Sequence, residues 1–185
     1  MADQREEPAT ILRFWFSETQ PRQWFAKDLA FDARLRDRFL GLCRQALAGE
    51  LDAWGTEPTG ALALVLLLDQ FPRQIWRDTA MAFAGDPQAL ALSLRAVEKG
   101  WLEEEGEQAR RQFWLMPLMH SEDLAVQEAA LPLFERLTDH RTADFARRHR
   151  YVIARFGRFP HRNAVLGRVS GAEELAFLQT PGSRF

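Results

Sequence analysis

Cysteine, tyrosine and lysine are scarce in this sequence. It contains a single cysteine, Cys43, and a single tyrosine, so no disulfide can form within the chain. Cys43 lies in an apolar helical pattern, and we predict that it is a small core residue. Lysine occurs only at positions 27 and 99, so arginine supplies nearly all of the positive charge. The lack of paired cysteines fits a reducing compartment, and we predict a cytoplasmic location.

Long apolar segments are missing as well. The longest run, residues 61–68, has eight residues, far fewer than the roughly 20 that a membrane-spanning helix needs. Residues 1–7 are mostly polar and acidic, with three acids and one arginine. They lack the apolar stretch of a secretory signal. The sequence therefore predicts no membrane partner and no signal peptide.

Motifs for metals, nucleotides and nucleophilic serine are also absent. The sequence has no HExxH or CxxC spacing, no P-loop, no GxGxxG and no GxSxG. A site built from His120, His149 and His161 with Glu122 or Asp123 is an alternative, but the spacing of these residues matches no metal motif. We predict no metal site and no cofactor.

Charge is unevenly distributed along the chain. The net charge of −2 gives no overall attraction to nucleic acid. Residues 141–168, however, contain eight arginines and one acid, Asp144, which gives +7 there and about −9 for the remainder. Such a cluster is typical of a region that binds carboxylate or phosphate groups, or that ties neighbouring helices to acidic ones. A nucleic-acid partner is disfavoured by the acidic remainder.

Helical periodicity dominates the chain. Apolar residues recur at intervals of three and four, as in residues 31–47. Asp86 followed by Pro87 predicts a helix start with Asp86 at the N-cap, and Ser121 is predicted to cap a later helix. Strand signals are nearly absent, because no alternating β-branched run and no Asn-Gly or Asp-Gly turn occurs.

These signals predict an all-α fold. We expect one domain over residues 1–185, with about eight helices in antiparallel pairs joined by short loops. Residues 1–9 and 180–185 are expected to fray. No fixed repeat of 34 residues is present, so a regular tetratricopeptide array is excluded.

The first polar segment, Asp69–Arg73, directly follows the longest apolar run. Asp69 and Arg73 are four residues apart and can pair on a helix, and Gln70 adds an amide. Polar groups beside such a run need partners if they are buried. The segment indicates either a ligand site or a salt bridge at a helix end.

The second polar segment surrounds His120. Because His120 precedes the predicted cap Ser121, its ring is expected near a helix N-terminus, which disfavours an imidazolium. A neutral histidine is a candidate acid or base near pH 7. Glu122 is a second candidate catalytic residue. The alternative is a loop histidine that only packs, beside acids that only begin a helix.

The third polar segment, Arg155–Arg168, is the densest. Gly157 is predicted to end a helix, and a loop with Pro160 follows. Planar guanidinium and amide groups can bind carboxylate or phosphate through paired hydrogen bonds. The candidate ligand-binding residues are Arg155, Arg158, Arg162 and Asn163, and His161 is a candidate catalytic residue. Alternatively, these arginines only join helices.

Four motifs together resemble a bacterial family of unknown function, DUF924. They are residues 11–16 (ILRFWF), 67–73 (LLDQFPR), 116–122 (MPLMHSE) and 155–163 (RFGRFPHRN). The resemblance extends from about residue 11 to residue 178, and it implies a tetratricopeptide-like, all-helical fold in a single domain. It implies no established activity. Gln74 stands where the resemblance leads us to expect asparagine.

Three hypotheses fit these segments. In the first, a pocket binds a small anion with a carboxylate or phosphate group, with or without catalysis. Arg158 and Arg162 hold the anion, and His120 or His161 moves a proton, oriented by Glu122, Asp123 or Asp69. In the second, a tetratricopeptide-like module binds an acidic peptide. In the third, buried ion pairs only lock helices together. The sequence alone does not decide between an enzyme and a binding protein.

Overall fold

A computed structural model describes residues 6–184 of the chain. Over this range the regular secondary structure is entirely helical, without a β-strand. Its α-helices are α1 (Glu6–Arg13), α2 (Pro21–Trp24), α3 (Leu29–Leu47), α4 (Pro58–Val65), α5 (Phe71–Ile75), α6 (Asp86–Glu98), α7 (Trp101–Glu104), α8 (Gln108–Met119), α9 (Leu124–Leu137), α10 (His140–Phe156) and α11 (Ala172–Phe177). The predicted fold class is confirmed, with more helices than the eight expected.

Short π and 3-10 segments connect or extend these helices. The π segments are Phe14–Glu18 after α1 and Leu66–Gln70 between α4 and α5, and the 3-10 segments are Asp52–Thr56, Ala80–Phe83 and Pro160–Arg162. Loops of a few residues join α8 to α9 and α9 to α10, and each consecutive pair packs together. This packing agrees with the expected helix pairs. The tetratricopeptide-like arrangement and the single-domain boundary stay predictions.

The core is rich in aromatic rings. Seven buried or partly buried rings from the π segment Phe14–Glu18 and from α2, α3, α5 and α8 contact one another with centroid distances of 5.0 to 6.4 Å: Phe14, Trp15, Phe16, Trp24, Phe31, Phe71 and Phe113. Burying such a side chain contributes roughly 1.5–3 kcal/mol. Cys43 lies in this core as predicted, and burial raises the pKa of its thiol to about 12.

Some predicted helix ends are wrong. Gly85, not Asp86, is the N-cap of α6, and Asp123, not Ser121, caps α9 through the N–H of Ala125. Of the two ends expected to fray, residues 6–9 belong to α1, whereas residues 1–5 and 185 lie outside the described range. No helix within residues 6–184 has the length and apolar character to cross a membrane.

The π segment Leu66–Gln70 interrupts one long helical rod, residues 58–75. The N–H of Phe71 donates to the carbonyl of Leu66, five residues earlier. Pro72 follows at once and has no N–H for the carbonyl of Leu68, so one hydrogen bond of a regular α-helix is missing where the π segment passes into α5. Segments of this kind are frequent at functional sites, and this one carries Asp69 and Gln70.

Candidate functional site

Asp69 is the innermost charged residue of the site. It has 0% exposed surface in a helix that is apolar on every side. Its Oδ1 lies 2.6 Å from Nδ1 of His120, and its Oδ2 accepts a hydrogen bond from the amide of Gln70. The structure thus brings together three residues that the sequence analysis singled out in two separate segments.

An ionic chain extends from Asp69 toward the third segment. Nη1 of Arg73 lies 3.2 Å from Oδ1 of Asp69, and the two Nη atoms donate to Asp86 at 2.8 and 3.0 Å. Arg162 donates from Nη1 to Oδ2 of Asp86 at 3.0 Å, the oxygen that also accepts from Nη2 of Arg73, and from Nη2 to the carbonyl of His120 at 3.1 Å. Two guanidinium groups therefore share one carboxylate beside the Asp69–His120 pair. We call Asp69, Arg73, Asp86, His120 and Arg162 the inner cluster.

Gly85 is what allows Asp86 to reach this position. A Cβ atom at Gly85 would lie 2.3 Å from the carbonyl oxygen of Leu68, so only glycine permits the start of α6 to rest on the π segment. Asp86 begins α6 at that point, and its carboxylate turns toward Arg73 rather than capping the helix. The sequence analysis interpreted Asp86 as a cap and missed it as a site residue. The neighbouring Gly85 was the available signal.

The protonation states follow from burial and from the neighbouring charges. Burial alone would raise the pKa of Asp69, but Arg73 and His120 outweigh it and hold that pKa well below its usual range. Burial lowers the pKa of His120, and Asp69 only partly offsets this effect. Near pH 7 the carboxylate is therefore charged and the imidazole neutral. Because a carboxylate only accepts, Nδ1 of His120 carries the proton and Nε2 carries the lone pair.

The expected reason for a neutral His120 was wrong. The residue is the C-cap of α8, and its N–H donates to the carbonyl of Met116. A helix C-terminus favours a cation, so the helix dipole does not keep this ring neutral. Burial does, since the side chain is only 11% exposed.

Two further histidines lie next to the inner cluster. The ring of His149 is 6.0 Å from that of His120 and 5.5 Å from that of Phe159, and His161 lies 5.7 Å from Phe159. Burial lowers the pKa of His149 well below its ordinary value, and burial together with Arg162 and Arg73 lowers that of His161 to about 3. Both rings are therefore neutral at pH 7 and lie in a positive potential.

Arg162 is held in this region by aromatic rings. Its guanidinium lies 4.6 Å from the ring centroids of both Phe83 and Phe159, a cation–π arrangement that favours a charged, weakly hydrated group. Burial lowers its pKa to about 10, so the group remains charged at neutral pH. Its Nε is buried and has no hydrogen-bond partner among the described residues.

Glu122 lies in a different cluster from the one predicted. Its carboxylate accepts from Nη1 and Nη2 of Arg168 at 2.7 and 2.9 Å and from the backbone N–H of Phe159 at 2.7 Å. Burial would raise the pKa of Glu122, but these partners outweigh it and lower the pKa. With its oxygens engaged by a guanidinium and a backbone amide, Glu122 fixes the position of Phe159. The catalytic role expected for it therefore finds no support in these contacts.

Arg158 and Asn163 belong to the same outer network. Arg158 donates twice to Glu174, at 2.7 Å each, and its hydrogen bond, which is stronger than the opposing effect of burial, lowers the pKa of Glu174 to about 2. Asn163 donates to Glu174 at 3.2 Å and accepts from Nε of Arg168 at 2.9 Å. We call Glu122, Arg158, Asn163, Arg168 and Glu174 the outer clamp, because they tie the loop after α10 to the loop before α9 and to α11.

The predicted site residues therefore fall into three groups. Asp69, Gln70, Arg73, His120 and Arg162 meet in or directly beside the inner cluster, with His161 near it, whereas Glu122, Arg158 and Asn163 form the outer clamp. Arg155 belongs to neither group, because its guanidinium lies at the surface, 3.8 Å from Glu173. Within residues 6–184, no group of three or more histidine, cysteine or acidic side chains is arranged to hold a metal ion.

Comparisons with known proteins place this chain in a family. The family described as "Bacterial protein of unknown function (DUF924)" matches residues 11–182. A solved structure of a protein of unknown function, ATU0120 from Agrobacterium tumefaciens, superposes with a TM-score of 0.89 and 40% sequence identity, over 96% of this chain and 99% of that one. A comparison with curated proteins found no match.

Proposed function

The chain belongs to the DUF924 family of bacterial proteins, and we propose that it is an enzyme whose base, His120, removes a proton from a small substrate with a carboxylate or phosphate group. The hydrogen bond between His120 and the fully buried Asp69 carries this proposal. Asp69 acts as a positioning residue. Arg73 and Arg162 supply the positive field that favours an anion.

The proton-transfer role rests on the orientation of one ring. A buried, charged carboxylate that accepts from Nδ1–H fixes the tautomer and leaves the Nε2 lone pair as the base. Asp69 also stabilises the imidazolium that forms when Nε2 accepts a proton. The ring is partly exposed, at 11%, whereas Asp69 is sealed at 0%. This difference in exposure suits a base, His120, that contacts the substrate, and a positioning residue, Asp69, that does not.

The preference for an anion rests on charge. The inner cluster contains two guanidinium groups and two carboxylates, so it is neutral while His120 is neutral. Proton uptake by His120 makes it positive by one unit, and a bound anion would offset that charge. The positive potential at His149 and His161, which arises partly from Arg162, favours the same kind of ligand.

The contacts modify the first hypothesis and weaken the second. Arg158 and Arg162 bind different acids, Glu174 and Asp86, so they do not form the joint anion clamp that was expected. An acidic peptide that used Arg158 and Arg168 would have to displace Glu174 and Glu122. Replacement of two buried or half-buried ion pairs is costly, which favours the inner cluster as the ligand site.

A screen of small carboxylates and phosphate monoesters tests the proposal. Binding is followed by the shift in melting temperature, and turnover by proton NMR of each mixture. We expect at least one compound to stabilise the wild type and an Arg155→Gln control but not Arg162→Gln. His120→Asn should bind this compound without converting it, while His140→Asn, at an exposed position, should convert it normally. The proposal is wrong if no anion binds, or if turnover survives in His120→Asn.

A further inference from the structure

A cavity lies between α3 and the end of α5. It has a volume of about 400 Å³ and is lined by Lys27, by residues from the first turns of α3, and by Gln74, Arg77 and Asp78. Cavities of roughly 300–1,000 Å³ are typical of small-molecule sites. We call it the α3–α5 cleft. The only inner-cluster element it shares is α5, through Gln74, the residue after Arg73.

Gln74 is the buried polar group of this cleft. The residue is 5% exposed, and its Nε2 donates to the carbonyl of Trp24 at 2.9 Å. That contact fixes the orientation of the amide, because a carbonyl can only accept. Its Oε1 is consequently an acceptor, and it is buried without a hydrogen-bond partner among the described residues. A buried acceptor of this kind costs free energy until a donor reaches it.

The cleft is lined by equal numbers of positive and negative side chains, but not all of them form ion pairs with each other. Three cations and three carboxylates line it: Lys27, Arg36, Arg77, Asp32, Asp37 and Asp78. Arg77 and Asp32 form a bidentate pair at 2.9 and 3.0 Å, and Arg36 donates to the carbonyl of Ile75. Within residues 6–184, Lys27, Asp37 and Asp78 form no ion pair. The rim therefore offers charges of both signs.

Asp78 has an additional feature. Its φ of 61° places it in the left-handed region, the one residue other than glycine with a positive φ within the described range. This conformation is costly for most side chains and is tolerated best by aspartate and asparagine. It holds the carboxylate of Asp78 at the rim of the cleft, directly after Arg77.

We infer that the α3–α5 cleft is a binding site for a small zwitterion, an α-amino acid or a dipeptide. The ammonium or amide N–H donates to Oε1 of Gln74 at the buried end. The carboxylate of the ligand meets Lys27 and Arg36, whose charges are not consumed by an acid of the chain. Asp37 and Asp78 disfavour a ligand that is only anionic, and Lys27 and Arg36 disfavour one that is only cationic.

Calorimetric titration of the full chain with single L-amino acids and dipeptides tests this assignment. Glycine ethyl ester, which has only the amine, and N-acetylglycine, which has only the acid, serve as matched probes. We expect at least one zwitterion to bind with a dissociation constant of about 1 mM or tighter, and both single-charge probes to bind at least about tenfold more weakly. The inference is overturned if no zwitterion binds, or if the single-charge probes bind equally well.

Two variants localise the binding. Gln74→Met keeps the length of the side chain but removes the acceptor, so affinity should fall about tenfold. Lys27→Gln should weaken the zwitterion and leave glycine ethyl ester unchanged, whereas the other lysine, replaced in Lys99→Gln, serves as the control. If Gln74→Met does not fold, Lys27→Gln and Asp78→Asn decide alone, and wild-type affinity in both refutes the site. His120→Asn should bind normally, which separates this result from the proposed proton transfer.

Discussion

His120 Nδ1 and Asp69 Oδ1 lie 2.6 Å apart, although 51 residues separate them in the chain. The carboxylate comes from the buried π segment that precedes Pro72, and the imidazole comes from the C-cap of α8. Neither helix would bury its polar group alone. Asp69 accepts the hydrogen bond that His120 donates, and Arg73 balances the negative charge of Asp69.

Replacement of Asp69 by asparagine should be costly. The change leaves the charge of Arg73 with only Asp86 and gives His120 a neutral partner, so the free energy of unfolding is expected to fall by about 3–5 kcal/mol. Urea unfolding followed by circular dichroism measures this loss. Asp144→Asn, at an exposed ion pair, is the control and should change little. A loss as small as that of the control would mean that the buried pair contributes nothing.

Stability should depend on pH through the buried histidines. His149 and His161 have lowered pKa values, about 3 for His161, so the native state keeps them neutral while the unfolded chain binds protons below roughly pH 6.5. The contribution of these two histidines to stability is therefore complete above about pH 6.5 and is lost as the pH falls below that value. For His161 the loss is about 1.4 kcal/mol per pH unit until the pH approaches 3, and His149 adds a loss of the same sign.

His161→Asn tests this dependence. Urea unfolding between pH 4.5 and 7.5 should show a slope that is shallower than that of the wild type by about 1.4 kcal/mol per pH unit. Gly41→Ala, which changes no titratable group and has nothing within 4 Å of the added Cβ, should keep the wild-type slope. An unchanged slope in His161→Asn would contradict the assignment of a neutral, buried His161.

Gly85→Ala should disturb the inner cluster from outside it. A Cβ atom there meets the backbone of Leu68 at 2.3 Å, so α6 must move and take Asp86 away from Arg73. We expect a loss of about 3 kcal/mol in thermal unfolding. Gly41→Ala is the matched control, because nothing lies within 4 Å of its Cβ and alanine favours helix by about 1 kcal/mol. Equal effects of the two changes would contradict the close approach at Gly85.

Glu122→Gln separates the outer clamp from the catalytic role predicted for this residue. The variant weakens the bidentate contact with Arg168 and is expected to lower stability by about 1–2 kcal/mol. Amide hydrogen exchange should increase in the loop after α10. The tautomer of His120 should remain that of the wild type. A change in the nitrogen shifts of His120 as large as that in Asp69→Asn would show that Glu122 acts on the ring.

The sequence predicted the fold class well because its signals are local. Apolar spacing, glycines after helices and the lack of strand patterns all concern neighbours along the chain. The residues of the inner cluster were also largely identified, since Asp69, His120 and Arg162 are polar groups in apolar or structurally interrupted segments. The pairing of these groups depends on tertiary packing, which local signals do not report.

The errors have the same origin. Asp86 looked like a helix cap because Pro87 follows it, and only the close approach of Gly85 to Leu68 shows its other role. Arg158 was expected to bind an anion together with Arg162. In the structure Arg158 is instead paired with Glu174 of α11. Such choices between carboxylate partners are made in three dimensions, among acids that are distant in sequence.

The protonation of His120 tests the central claim most directly. Long-range proton–nitrogen NMR on protein labelled with nitrogen-15 in histidine distinguishes the two neutral tautomers from the imidazolium. At pH 7 we predict a neutral ring with the proton on Nδ1 and a bare Nε2, and loss of this pattern in Asp69→Asn. An imidazolium, or a proton on Nε2, would contradict a base that is oriented by Asp69.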